Sequence, residues 1–227
     1  MKGILIGVLL TTFAASLLAA DENQQENQRL TSAADVLQQI QSNPDRGIPP
    51  DLLHRAYCVV VIPNMKKAGF IFSGKYGRGY ASCRTDGHWS APAAMRIEGG
   101  GFGLQAGASD TDVIMLVMTR KGMDSILSSK FTLGAQASVA AGPVGTAATA
   151  QTDANLNVDI LTYSRTRGAF AGISLQGATL RPDEDADKAL YGHQVNSRNV
   201  LTGNVQNPVR PDPFTRELTR YGGTARA

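Results

Sequence analysis

Residues 57–84, YCVVVIPNMKKAGFIFSGKYGRGYASCR, constrain the fold more than any other part of the chain. An apolar run, 59–62, stops at Pro63-Asn64, a turn signal. A second, 69–72, follows Lys66-Lys67, and Gly74, Gly77 and Gly79 then punctuate a basic segment with Lys75 and Arg78. β-branched and aromatic residues bounded by Pro, Asn and Gly predict short strands joined by tight turns. The charge is one-sided: residues 52–85 hold six Lys/Arg (Arg55, Lys66, Lys67, Lys75, Arg78, Arg84) and no Asp or Glu. Such an unpaired basic surface either meets an anion or is a solvated face, and the stretch alone does not choose between them.

A chain of 227 residues with 42% hydrophobic content suits one domain with tails, or two small domains. Its net charge of +3 lacks the dense basic clustering of nucleic-acid binders. The amino terminus is organised as an export signal: Lys2, an apolar segment 4–10, then small residues ending at Ala19-Ala20 before Asp21. Cleavage after Ala20 is expected, because the apolar span is shorter than the roughly 20 residues of a membrane-spanning helix. That reading places the product in a periplasm or peripheral to an envelope membrane. Export permits a disulfide. Cys58 and Cys83, each in a predicted strand, fit either a bridge or two buried thiols.

The expected organisation is a signal at 1–20, a polar linker at 21–29, one domain at 30–192 and an extended polar tail at 193–227. Leu30, Ala33, Val36, Leu37 and Ile40 recur at helical spacing. Pro49-Pro50-Asp51 opens a short second helix, and 121–127 reads as another. Thr85-Asp86-Gly87 is a hairpin turn, 98–107 a glycine-dense strand and 113–118 a central apolar strand. Strand patterning continues over 131–141, 155–164 and 168–178, and a closing helix is expected over 183–191.

No motif carries catalysis. Gly69 to Gly74-Lys75 has P-loop spacing, but Tyr76 stands where Ser or Thr must hold magnesium. Gly101-Phe102-Gly103 leads into a turn and another strand rather than the helix of a dinucleotide site. Asp183, Asp185 and Asp187 begin like a calcium loop, yet Lys188 replaces its required glycine, so helix-dipole complementation is the better reading. His54, His88 and His193 are each isolated. No metal and no cofactor is expected.

Four segments then resemble, in order, the SYLF lipid-binding domain family, described as an actin-binding-type domain in its fungal members. They are AYCVVVIPNMKKAGFIFSGKYGRGYASCR, HWSAPAAMRIEGGGFGLQAGASDTDVIMLVM, SSKFTLGAQASVAAGPVG and ILTYSRTRGAFAGISLQGATLRPDEDADKALYG, within residues 30–192. The exported, stand-alone form is similar to bacterial members. The resemblance implies a non-enzymatic domain binding anionic phospholipids, with phosphoinositides the ligands of eukaryotic members. It implies an α+β fold: a mostly antiparallel, glycine-rich, strongly bent β-sheet, sandwich or partial barrel, with short N-terminal and peripheral helices. Lys66, Lys67, Lys75 and Arg78 are the first lipid contacts expected, and Arg165 and Arg167 the second. The rival expectation is an envelope interaction protein that pairs its sheet with a protein partner.

Overall fold

The structure, a computed structural model, describes residues 2–42, 47–69, 72–102, 107–143, 158–166, 169–172, 175, 177–210 and 212–223. The chain runs α1 (Lys2–Gln41), α2 (Pro50–Arg55), β1 (Cys58–Gly69), β2 (Phe72–Thr85), β3 (His88–Trp89), β4 (Ala93–Phe102) and β5 (Gly107–Val117). There follow α3 (Arg120–Ile126), β6 (Phe131–Thr132), β7 (Val139–Ala141), β8 (Ile160–Thr166), β9 (Ala169–Gly172) and β10 (Thr179–Pro182). Helices α4 (Glu184–Tyr191), α5 (Ser197–Leu201) and α6 (Pro213–Gly222) close the chain.

Among the described residues the strands form one sheet ordered β6-β10-β4-β2-β1-β5-β8-β7, with β3 on β2 and β9 on β8. Among the described strands only β7 and β8 pair in parallel; the sheet curls strongly into a half-barrel, the α+β arrangement expected. Its centre is β1 beside β5. Residues 59–62 and 113–117 are wholly buried, which is why they read as unbroken apolar runs rather than as alternations.

The curl depends on missing side chains in β2. A Cβ on Gly79 would lie 1.9 Å from the carbonyl oxygen of Val61, and one on Gly77 would lie 2.5 Å from Cγ2 of Ile62. The strand β1 is continuous through Pro63-Asn64, where the sequence predicts a turn. Asn64 takes a positive φ of 50° and the ladder shifts register there against both neighbours, so the signal marks a bulge. The Asn64 N–H donates to Asp112 Oδ1 at 2.9 Å. Cys58 and Cys83 face each other in the β1–β2 register and are joined by a disulfide, their Cα atoms 4.0 Å apart.

Two segments differ from expectation. Residues 21–29, read as a linker, continue α1, which is long rather than short; Asn23 Nδ2 donates to the Ala189 carbonyl at 2.8 Å, and Glu26 is buried. Residues 193–227, read as an extended tail, contain α5 and α6, with Val200, Leu201, Phe214 and Leu218 buried. Pro213 occupies the first turn of α6, where proline's missing N–H costs nothing, and Asp212 caps it by accepting from Phe214 N at 2.9 Å. Helix α6 packs on α1 and α2. Arg84 fastens it: its guanidinium donates to the carbonyls of Leu53, Ala56, Gly222 and Gly223 at 2.5–3.3 Å and lies 4.2 Å from the Trp89 ring centroid. Among the described residues no helix is long and apolar enough to cross a membrane.

Gly79→Ala forces backbone apart and is expected to destabilise the domain by about 1–3 kcal/mol, whereas Gly74→Ala, with nothing within 4 Å of the new Cβ, stays near wild type. Paired thermal melts check this, and equal midpoints would refute the crowding argument. The disulfide closes a sequence separation of 25, so replacing both cysteines by alanine is expected to lower stability by about 3 kcal/mol in urea unfolding.

Candidate functional site

The β1–β2 ladder decides where the predicted cations stand. Lys67 faces Lys75, and Lys66 faces Tyr76. Side chains alternate along a strand, so Lys67 and Lys75 share one face of the ribbon while Lys66 and Tyr76 share the other, which α1 covers further along. Lys66 is exposed and its Nζ lies 2.6 Å from Asp110 Oδ2 on β5; an ion pair in open water adds little stability. Lys75 is half-buried, its stem passing Gly99 on β4. Burial, and then the neighbouring Lys67 charge, hold its pKa below the ordinary lysine value.

Arg78 and Arg165 are engaged differently. Arg78 Nε lies 2.5 Å from Asp183 Oδ2, and its Nη2 lies 3.6 Å from Glu26 Oε1. Glu26 also accepts from the Tyr80 hydroxyl at 2.8 Å and pairs with Arg29. Partial burial works against the Arg78 charge, but the Asp183 hydrogen bond and the Asp183 and Glu26 charges outweigh it, so its pKa is raised. Burial and the Glu26 charge raise Tyr80 as well. Arg165 Nη2 lies 2.5 Å from Asp112 Oδ2, which ties β8 to the carboxylate that receives the Asn64 bulge. Arg167 lies outside the described residues. The basic run therefore is not an unpaired surface: Asp110, Asp183 and Glu26 reach it from remote segments.

Two clefts flank Tyr76, whose side chain is 47% exposed. One, of about 290 Å³, lies between α1, β2, β4 and α4 and is lined by Glu22, Tyr76, Arg78, Arg96 and Asp185 among others. The other, of about 310 Å³, includes Arg29, Asn64 and Lys66. A third, of about 590 Å³, lies at the opposite end of the ribbon beside His54, Arg55 and Arg84. The local sequence around Glu26, Tyr80 and Asp183 gives no sign of their convergence, because each lies on a different element.

Behind Asp183 sits Asp187, fully buried. It accepts from Ala94 N at 2.6 Å and Ser197 Oγ at 2.7 Å, tying α4 to β4 and α5. Burial pushes its carboxyl up to about 7; the two hydrogen bonds oppose that shift, and the Asp183 and Glu26 charges add to it. The remaining acids of α4, Glu184 and Asp185, stand in its first turn and complement the helix dipole.

A curled half-barrel that presents cations and polar clefts along one helix defines a binding module. The chain belongs to the Ysc84/SYLF family, a family of binding domains: the family model described as "Las17-binding protein actin regulator" matches residues 98–221, reaching into α6. It is 36% identical over 193 residues to SH3 domain-containing protein PJ696.02 of Schizosaccharomyces pombe, covering 83% of this chain and 44% of that protein. Against LAS seventeen-binding protein 3 of Saccharomyces cerevisiae it is 36% identical over 178 residues, covering 77% and 39% respectively. Against SH3 domain-containing YSC84-like protein 1 of Mus musculus the identity is 29% over 182 residues, covering 79% and 53%. The chain thus spans about half the length, or less, of these curated relatives.

Asp187 gives a pH dependence of definite sign. Its folded pKa of about 7 exceeds the ordinary 3.8, so the stability contributed by the neutral carboxyl is full below about pH 4 and is lost as pH rises towards 7. The full change corresponds to about 4 kcal/mol. Asp187→Asn is expected to flatten this slope in melts between pH 4.5 and 7.5; an unchanged slope would mean that another group titrates there.

Proposed function

We propose that this domain binds anionic phospholipid head groups at a bacterial envelope membrane, through the lysine-bearing end of the β1–β2 ribbon. The observation that carries this reading is the direct opposition of Lys67 and Lys75 across the ladder, with Lys66 exposed on the other face of the same ribbon end. Two like charges held on one face repel, which adds to burial in depressing Lys75. A phosphate between them relieves it by charge-assisted hydrogen bonds. The family membership supports a binding role, and the expected export signal supports the location.

The energetics limit what lysines do alone. Near an anionic surface each contributes about 1 kcal/mol, so the facing pair totals about 2 kcal/mol, weaker than millimolar binding. Apolar contact or several domains on one surface must supply the rest. Tyr76, exposed opposite Lys66, is an aromatic of the amphipathic kind that settles at such interfaces. Arg78 and Arg165, committed to Asp183 and Asp112, position the ribbon more than they contact lipid.

The test is sedimentation with anionic and zwitterionic liposomes at low and high salt. Anionic-selective binding that fades with salt, and at least a ten-fold loss in Lys67→Glu with Lys75→Glu, is the expected result. Unchanged binding in that double variant would remove the lysine pair from the mechanism. The second reading, an envelope protein partner met through the sheet, draws on the LAS seventeen-binding name of the yeast relative. Stable co-purification with a protein and no liposome binding would favour it.

A further inference from the structure

Three arginines stand in one row across adjacent strands: Arg78 on β2 faces Arg96 on β4, which faces Arg181 on β10. Their charges are met unevenly. Arg78 is held by Asp183, and Arg181 lies 2.7 Å from Glu98 Oε1. Arg96 reaches the same Glu98 oxygen only at 3.3 Å, and its buried Nε has no hydrogen-bond partner among the described residues. Arg78 and Arg96 both line the 290 Å³ cleft, so a guanidinium with an unmet donor borders that space.

The opposite wall carries the other sign. Glu22 on α1 and Asp185 on α4 line the cleft, are exposed, and form no ion pair or hydrogen bond among the described residues. Glu26 and Asp183 also line it, but they are committed to Arg78. Tyr76 stands at the rim with an exposed ring. A simple anion meets repulsion from these carboxylates, and a simple cation meets repulsion from the arginines. We infer that this cleft seats a zwitterion carrying a phosphate and a primary ammonium, the chemistry of a phosphoethanolamine head group. The phosphate lies towards Arg96, the arginine of the row whose charge is met least, where guanidinium geometry favours it. The ammonium lies between Glu22, Asp185 and the Tyr76 ring, where charge and ring quadrupole act together. The cleft is at the small end of ligand-site volumes, so it takes the head group and leaves acyl chains outside.

The lipid source of this ligand rests on the proposed function; the cleft itself does not, and the experiment separates them. Calorimetry and amide chemical shifts of the chain are measured with O-phosphoethanolamine, inorganic phosphate and ethanolamine. Phosphoethanolamine is expected to bind at least ten-fold tighter than either fragment, with shifts at Tyr76, Arg96 and Asp185. Glu22→Gln with Asp185→Asn, both at exposed positions, should remove that preference at least ten-fold, whereas Lys67→Glu with Lys75→Glu should leave it intact. Equal affinity for phosphate and phosphoethanolamine, or indifference to the carboxylate variants, overturns the inference. In vesicles of fixed anionic content, phosphatidylethanolamine replacing phosphatidylcholine should increase sedimentation of wild type but not of the carboxylate variant. Soluble binding without that increase assigns the cleft to a free phosphoamine.

Discussion

The contact between β2 and β1 at Gly79 is the constraint from which the rest of the architecture follows. Where a carbonyl oxygen occupies the place of a Cβ, the two backbones approach more closely than side chains allow, and the sheet must coil. Coiling wraps β4 and β10 on one side and β5 and β8 on the other into a half-barrel. One face of β2 is covered by α1, whose Glu26 meets the Tyr80 hydroxyl. The Asn64 bulge works in the same direction on the neighbouring strand, and the Asp112–Arg165 pair fixes it from the next two.

A polar seam joins helix to sheet. Glu26, nearly buried, costs more to desolvate than an apolar residue of its size, and it is tolerated because Tyr80, Arg78 and Arg29 all reach it. Removing one member would strand the others. That separates the cations into two kinds: arginines that hold buried carboxylates, and lysines at the ribbon's end whose stems reach towards water. The first kind builds the surface that the second presents.

Much of the fold was legible in residues 57–84 and 113–117, because long apolar runs and glycine spacing act locally. The helices α3 and α4 were legible for the same reason. The Pro63-Asn64 signal was ambiguous: a bulge and a turn can both hold Asn at a positive φ, and only the partner strands distinguish them. The last 35 residues looked extended because Pro208, Pro211 and Pro213 outweighed the capping pair Asp212-Pro213. The lysines were visible as a charge run, but their acidic neighbours were not. Asp110, Asp183 and Glu26 are remote in the chain, and one-sided charge in a segment says nothing about the charge that folds against it.

The Cys58–Cys83 bridge and the carbonyls gripped by Arg84 lie at one end of β1 and β2, and the opposed lysines lie near the other. The ribbon is braced between those ends as well: β1 stays paired with β5 as far as Gly69, and β2 with β4 from Phe72 onward. The covalent bond forbids β2 to slip along β1, so the register that sets Lys67 against Lys75 is fixed from the far end of the ladder. Arg84 ties that same end to the last carbonyls of α2 and α6.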